Sequence, residues 1–155
     1  MSCTKRLPRF DTHRKEPEVT VVCRGVRGAT TVEQDSREAI LAATEELLHL
    51  MLESNQIQRE DIASVIFTTT PDVISEYPAL AARKLPGWGD MALLCGHEMA
   101  VPHGLKKCIR VLLHWNTSKA AHEINHIYIK EAVNLRPDIA APHSNTLRRE
   151  GQEKK

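Results

Sequence analysis

The apolar positions of this chain fall mostly into short runs of the kind that form strands. Residues 108–115 are nearly all apolar and are bounded by Gly104 and Asn116, so they predict a buried strand. Residues 19–26 and 63–70 are rich in β-branched side chains and predict two further strands. Shorter apolar segments at 91–95 and 126–134 predict two more.

Between these runs the spacing becomes helical. Asp35 and Glu38 have the separation of a capping box, with Asp35 as the N-cap and Glu38 at the third helical position. Apolar residues then recur at helical intervals and predict an amphipathic helix that ends near residues 54–55. A shorter helix is predicted over residues 77–84, and a helical turn or two from Thr117 or Ser118. Alternating strands and helices predict an α/β or α+β domain, with a mixed sheet of about five strands and flanking helices.

Composition divides the chain into three parts. Residues 1–18 are polar, basic and interrupted by proline, and they predict a flexible N-terminal extension. Residues 19–147 form the predicted folded domain, and the charged residues 148–155 predict a disordered tail. A chain of 155 residues is long enough to bury one substantial core.

The charge and the cysteines exclude several classes of protein. A net charge of +1 and an aromatic content of 4% argue against a nucleic-acid-binding or membrane-surface protein. No apolar run approaches the ~18 residues that a membrane span needs, and the N-terminus lacks the apolar core of a secretory signal. The four cysteines show no C-x-x-C spacing. A reduced, cytoplasmic protein is therefore expected.

Arg110 lies in the middle of the most apolar strand. Its guanidinium stays charged at any ordinary pH, so burial requires an anionic partner. Strand alternation places it on the face of Cys108 and Leu112. A carboxylate of the protein could meet it there, the side chain could reach solvent at the strand end, or the pocket could accept an anionic ligand.

Two motifs suggest catalytic chemistry that the spacing does not support. Residues 122–126 match H-E-x-x-H, but the second histidine leads directly into a predicted strand, which breaks the helical geometry that zinc needs. No metal site is therefore predicted. Cys95 and His97 are two residues apart in a strand-to-loop passage, with no acid to orient the imidazole, and do not predict a thiol protease.

Four stretches of the chain resemble the monofunctional chorismate mutases of the trimeric Bacillus type. They lie at residues 24–33, 95–99, 104–111 and 135–138, and the likeness extends over about residues 21–147. The resemblance implies a pseudo-α/β barrel homotrimer with active sites between subunits. It also implies conversion of chorismate to prephenate in the shikimate pathway to phenylalanine and tyrosine. No cofactor is expected, and chorismate and prephenate would be its small-molecule partners.

The resemblance also implies roles for individual residues. Arg110 would face the breaking ether bond, Arg27 would bind near the ring carboxylate, and Glu98 would meet the ring hydroxyl. These three are the predicted catalytic residues. The predicted substrate-binding residues, some from the adjoining subunit or the cleft wall, are Cys95, Tyr128, Arg83, Tyr77, Leu135 and Arg136.

The chain departs from the Bacillus-type pattern at two positions. Leu80 stands where that pattern has a lysine near the cleft mouth, and Leu94 stands where it has a threonine. Two alternatives remain open at this point: a non-catalytic trimer that binds a small anion, and a protein of the related imine-deaminase-like fold. Fold alone does not separate these functions.

Overall fold

The computed structural model of the chain describes residues 19–139, which contain five strands and two α-helices. The predicted extension at 1–18 and tail at 148–155 lie outside these residues. The strands are β1 (Val22–Thr31), β2 (Ile62–Thr69), β3 (Leu93–His97), β4 (Cys108–Thr117) and β5 (Ile127–Tyr128). The α-helices are α1 (Arg37–Asn55) and α2 (Ala79–Lys84), and short 3-10 turns occupy Arg59–Asp61, Ala121–Glu123 and Lys130–Leu135.

The five strands form one mixed sheet, as the sequence predicted. Their order is β3-β2-β4-β1-β5, so β4, the most apolar strand, lies at the centre. β4 runs antiparallel to both β1 and β2, while β3 joins β2 and β5 joins β1 in parallel. The central place of β4 puts Arg110 between two neighbouring strands, opposite Ala29 on one side and Thr68 on the other.

The two faces of the sheet have different surroundings. On one face, Val111, Leu113 and Trp115 of β4 are buried in a core that also contains Leu47 and Met51 of α1. Each large apolar side chain buried in this way contributes about 1.5–3 kcal/mol. The other face carries the alternate residues of β4 (Arg110, Leu112, His114), which are only half-buried. Arg110 thus lies on the face away from the helices, and we call this the open face.

The predicted cap of α1 was wrong by one residue. Ser36, not Asp35, is the N-cap, and its Oγ accepts a hydrogen bond from the Ala39 amide at 3.2 Å. The Asp35 carboxylate instead accepts hydrogen bonds from the backbone of Ile74 and Ser75, which are distant in sequence. A long-range contact of this kind competes with the local capping box and cannot be read from spacing.

The predicted last strand, 126–134, was too long. Only Ile127–Tyr128 pairs with β1, and the chain then enters a 3-10 turn over Lys130–Leu135. The turn starts with Lys130 at φ 54°, a left-handed conformation that ends an extended strand. It brings Ala132 into a small buried cluster with Ala29 and Cys108.

The first strand was predicted at residues 19–26 but lies at Val22–Thr31, whereas the remaining elements lie close to their predicted positions. β1 begins at Val22 and continues through Gly28 to Thr31, because its whole length pairs with β4. β2, α2 and β3 lie within two residues of the predicted segments, and β4 extends two residues further, to Thr117. The helical turns expected after Thr117 are a single 3-10 turn at Ala121–Glu123.

Gly28 allows α1 to approach β1 closely. A Cβ atom at this position would collide with Met51 Sδ and would lie 3.2 Å from Leu47 Cδ1. Met51 and Leu47 are both completely buried, so they have little room to move away.

We expect Gly28→Ala to lower the free energy of unfolding by about 1–3 kcal/mol, the cost of overpacking a core. Denaturant unfolding at fixed protein concentration measures this. Gly89→Ala is the matched control, since a Cβ there would meet no atom within 4 Å. Equal unfolding midpoints for the two variants would contradict the close-approach explanation.

Candidate active site

A cavity of about 440 Å³ opens on the open face of the sheet, beside β5 and the turn that follows it. Its volume is in the range of small-ligand sites. The strand register assembles it, because Arg27 and Ile66 both pair with Leu112, and Ala29 and Thr68 both pair with Arg110. The lining residues are Arg27, Gly28, Ala29, Ile66, Thr68, Arg110, Val111, Leu112, Tyr128, Leu135 and Arg136.

Arg110 has a carboxylate partner in Glu98. Its Nε lies 3.1 Å from Glu98 Oε1, and the two side chains are 43% and 20% exposed. The Nε atom is nevertheless buried without a well-aligned hydrogen bond. The short distance therefore represents electrostatic attraction with a poorly directed N–H, and the guanidinium retains donor capacity toward the cavity.

Glu98 is itself held in place by β2. Its Oε1 accepts a hydrogen bond from Thr68 Oγ1 at 2.6 Å, and its backbone amide donates to the Thr69 carbonyl at 2.9 Å. Within residues 19–139, Oε2 has no hydrogen-bond partner. Thr68 was not predicted as a site residue from the sequence. Its position in β2, beside the strand that carries Arg110, is the signal that could have suggested a role in the site.

Arg27 is fixed through its backbone. Its amide donates to Nδ1 of His126 at 3.1 Å, so that ring nitrogen is an acceptor and carries no proton. Burial, reinforced by the positive charges of Arg27 and Arg136, lowers the pKa of His126 below 6.5. Arg136 makes a two-point contact with Asp138, at 2.9 and 2.8 Å. Three guanidiniums thus line this cavity, and neither Glu98 nor Asp138 is among its lining residues. Glu98 instead lines a neighbouring cavity of about 310 Å³, which shares Arg110 with the first.

Tyr128 and Leu135 form the apolar wall of the cavity. They pack against the small cluster of Ala29, Cys108 and Ala132, which are almost completely buried. Burial raises the pKa of the Cys108 thiol, so this side chain is a neutral packing residue next to Arg110.

Three of the predicted site residues lie elsewhere on the chain. Tyr77 and Cys95 line a separate cavity of about 330 Å³, and Arg83 lies on the exposed side of α2. Cys95 pairs with the buried Phe67 and packs on the helix-covered face, opposite to Arg110. Burial raises its pKa, so the thiol is not activated as a nucleophile. One chain therefore brings together Arg27, Glu98, Arg110, Tyr128, Leu135 and Arg136, but not Tyr77, Arg83 or Cys95.

The H-E-x-x-H motif does not adopt zinc-protease geometry. His122 lies in the 3-10 turn Ala121–Glu123, whereas His126 follows that turn and precedes β5. The two imidazoles are therefore not on one turn of a continuous helix. Among residues 19–139, no group of three or more His, Cys, Asp or Glu side chains is arranged to hold a metal ion.

A larger cavity of about 860 Å³, between the start of α1 and the start of β4, has a different charge pattern. Its three lysines are balanced by three glutamates, and two of the lysines have oxygen partners: Lys130 Nζ lies 2.9 Å from Glu46 Oε2, and Lys107 donates to the Glu33 carbonyl. This cavity has no excess positive charge, so it is a poorer site for an anion than the arginine-lined one.

A mixed sheet with helices on one face and an arginine-lined cavity on the other is the arrangement expected of a protein that binds a small anion. Comparison with known proteins makes this class specific. Residues 23–139 match the model of the family described as chorismate mutase type I. The chorismate mutase AroH of Thermus thermophilus is 51% identical over 117 residues, covering 75% of this chain and 95% of that protein.

Two further relatives agree with this match. The chorismate mutase AroH of Bacillus subtilis (strain 168) is 41% identical over 127 residues, covering 82% of this chain and all of that protein. A solved chorismate mutase from Clostridium thermocellum superposes with a TM-score of 0.68 at 45% identity, covering 70% of this chain and 96% of that one. The chain belongs to the type I chorismate mutase family.

These matches confirm the family, the fold class and the class of activity predicted from the sequence, an isomerase of the chorismate mutase type. They give no support to the imine-deaminase-like or non-catalytic alternative. Of the helices between residues 19 and 139, none is long and apolar enough to cross a membrane.

We expect the imidazole of His126 to be neutral at pH 6.5, because burial and two nearby guanidiniums disfavour its charged form. The unfolded chain then takes up this proton first as the pH falls. The stabilisation is therefore fully present above pH 6.5 and is lost below it. An NMR titration of the ring measures the pKa directly. A midpoint at or above 6.5 would contradict the assigned hydrogen bond from Arg27.

Proposed function

We propose that this chain converts chorismate to prephenate in the arginine-lined cavity, with Arg110 as the principal catalytic residue. The observation that carries the proposal is the position of the Arg110 guanidinium. Glu98 holds it at the buried Nε, while the side chain as a whole stays 43% exposed on the wall of a cavity that Arg27 and Arg136 also line. Such a group is a preorganised donor for an oxygen of a bound ligand.

The rearrangement suits a site without a nucleophile or a general base. One carbon–oxygen bond of chorismate breaks while one carbon–carbon bond forms, and no proton has to move. The substrate carries two carboxylates, so cations that hold both can fix the reactive conformer and gain rate through orientation. Negative charge develops on the ether oxygen in the transition state, and a fixed cation stabilises that state more than the ground state.

The remaining residues would contact different parts of the substrate. Arg27 would bind the ring carboxylate, and Glu98 Oε2 would accept the hydrogen bond of the ring hydroxyl, since Oε1 is already occupied by Thr68. Tyr128 and Arg136 would contact a carboxylate, and Leu135 would exclude water from the ring. No cofactor takes part in this scheme.

We further propose a homotrimer in which each site lies between two subunits. Tyr77, Arg83 and Cys95 would complete the cavity of an adjoining chain, because they lie apart from Arg110 on their own. Several large apolar side chains support this arrangement by their exposure: Tyr77 is 71% and Leu94 is 63% exposed on the single chain. We expect such a trimer in the cytoplasm, where Cys23, Cys95 and Cys108 remain free thiols.

The activity is tested by the loss of chorismate absorbance after adding purified protein, with prephenate identified as the product. Turnover without added metal or cofactor is expected. If chorismate persists, or if a product other than prephenate forms, the proposed function is wrong.

We expect Arg110→Ala to lower kcat by about 10²–10³-fold, the scale for losing one donor to a developing negative charge. Arg110→Lys should be a poor replacement, because an ammonium lacks the planar fork of donors. Steady-state kinetics measures both. Arg24→Lys is the matched control, since Arg24 lies on the same sheet and, among the described residues, its side chain binds only the Lys119 carbonyl. Near-normal turnover in either Arg110 variant would remove its central role.

The shared site predicts complementation between two inactive variants. Arg110→Ala and Arg83→Ala should each lose activity, but trimers assembled from both should contain intact sites. Random assortment of equal amounts restores about a quarter of the sites. Activity after co-refolding, with solution mass as a check on assembly, measures this. No gain over the separate variants would contradict a site built from two subunits.

A further inference from the structure

The connection between β2 and α2 is held by the residues that begin α1. Asp35 Oδ1 accepts hydrogen bonds from the backbone amides of Ile74 and Ser75, both at 3.1 Å. Asp35 Oδ2 accepts a third bond from Ser75 Oγ at 2.8 Å. One carboxylate thus fixes two consecutive residues of a loop that lies about 40 positions later in the chain.

A second pair extends this contact to Tyr77. Arg37 forms an ion pair with Glu76, whose side chain is only 12% exposed. Glu76 Oε1 in turn accepts a hydrogen bond from the Tyr77 amide at 2.8 Å. The Tyr77 carbonyl then accepts from the Leu80 amide at 3.0 Å and leads into α2. We call Asp35, Arg37, Ser75 and Glu76 the clasp.

The clasp orders a segment that has little packing on its own chain. Ile74 is 75% exposed and Tyr77 is 71% exposed, although both are large and apolar. Ordering an exposed loop costs backbone conformational entropy, which contacts such as those of the clasp must offset. Asp35 is also not used as the cap of α1, since Ser36 has that role.

The protonation state of Asp35 fits this role. Burial alone would raise its pKa, but hydrogen bonds from Ser75 and Ile74 and the charge of Lys107 together hold the pKa below 3.8. The carboxylate is therefore charged near neutral pH, when its three hydrogen bonds are strongest.

We propose that Asp35 and Glu76 are positioning residues, which hold the Tyr77 ring in the substrate cavity of a neighbouring subunit. This inference rests on the proposed function and adds two residues that do not touch the substrate themselves. It explains why a conspicuously exposed tyrosine has a backbone that is fixed on both sides. Loss of the clasp would leave the fold in place and release the ring from its preferred position.

A double-mutant cycle on kcat/KM for chorismate tests the proposal, using Asp35→Ala, Tyr77→Ala and the double variant of the full chain. Asp35→Ala should lower kcat/KM about tenfold, the scale of one charge-assisted hydrogen bond, chiefly through a higher KM. In the Tyr77→Ala background the same change should cost less than about twofold, because its target is gone. Asp61→Ala is the control, since Asp61 is exposed and its side chain makes no hydrogen bond within residues 19–139.

Thermal unfolding of each variant separates positioning from stability. A purely structural Asp35 would lower the midpoint and kcat/KM equally in both backgrounds, and this additive result would overturn the inference. Near-normal kinetics for Tyr77→Ala would overturn it as well. If Asp35→Ala does not fold, Ser75→Ala repeats the cycle with only the hydroxyl removed. A wild-type chain without turnover would defeat the proposed function too, whereas additivity in an active enzyme defeats this inference alone.

Discussion

The structure depends on keeping one positive charge partly buried at the centre of a sheet. Arg110 lies in the middle of β4, between β1 and β2, and its nearest counter-charge is Glu98 at 3.1 Å. The carboxylate makes the guanidinium tolerable there, because an unpaired charge in such a place would be costly. Glu98 contacts only the buried Nε edge of the guanidinium, and the side chain remains 43% exposed toward the cavity. Thr68 and the Thr69 carbonyl fix Glu98, so the charge and its partner are both held before any ligand arrives.

The sheet separates stability from function by its two faces. The helix-covered face buries the residues that hold the fold, such as Phe67, Leu113 and Met51, all at 0% exposure. The open face carries Arg27 and Arg110 and is not covered by a helix, so these side chains remain partly exposed to solvent on the single chain. Cys95 lies on the helix-covered face and Tyr77 lies in the loop before α2, so both are away from Arg110 on the single chain. A site assembled from two such chains would combine the open face of one with the clasp-held segment of another.

Much of this could be predicted from the sequence where a pattern is local. The apolar run of β4 identified the strand and its central arginine, and the helical spacing identified α1. Contacts between distant residues could not be predicted. Asp35 accepts hydrogen bonds from Ile74 and Ser75 and does not cap α1, and Thr68 donates a hydrogen bond to Glu98. The length of the last strand was overestimated, because Lys130 adopts a left-handed backbone conformation that cannot be predicted from composition. The catalytic and binding roles came from family resemblance, since an arginine in a strand is chemically ambiguous by itself.

The most direct test of this account is a crystal structure of the protein with a stable cyclic-ether dicarboxylate that mimics the rearranging skeleton. The account predicts the Arg110 guanidinium within hydrogen-bond reach of the ether oxygen, roughly 2.7–3.2 Å, with Glu98 still beside it. The opposite result would be an analogue bound with its ether oxygen facing water or another residue while Arg110 stays paired with Glu98 alone. That geometry would contradict the role of Arg110 as the stabilising charge.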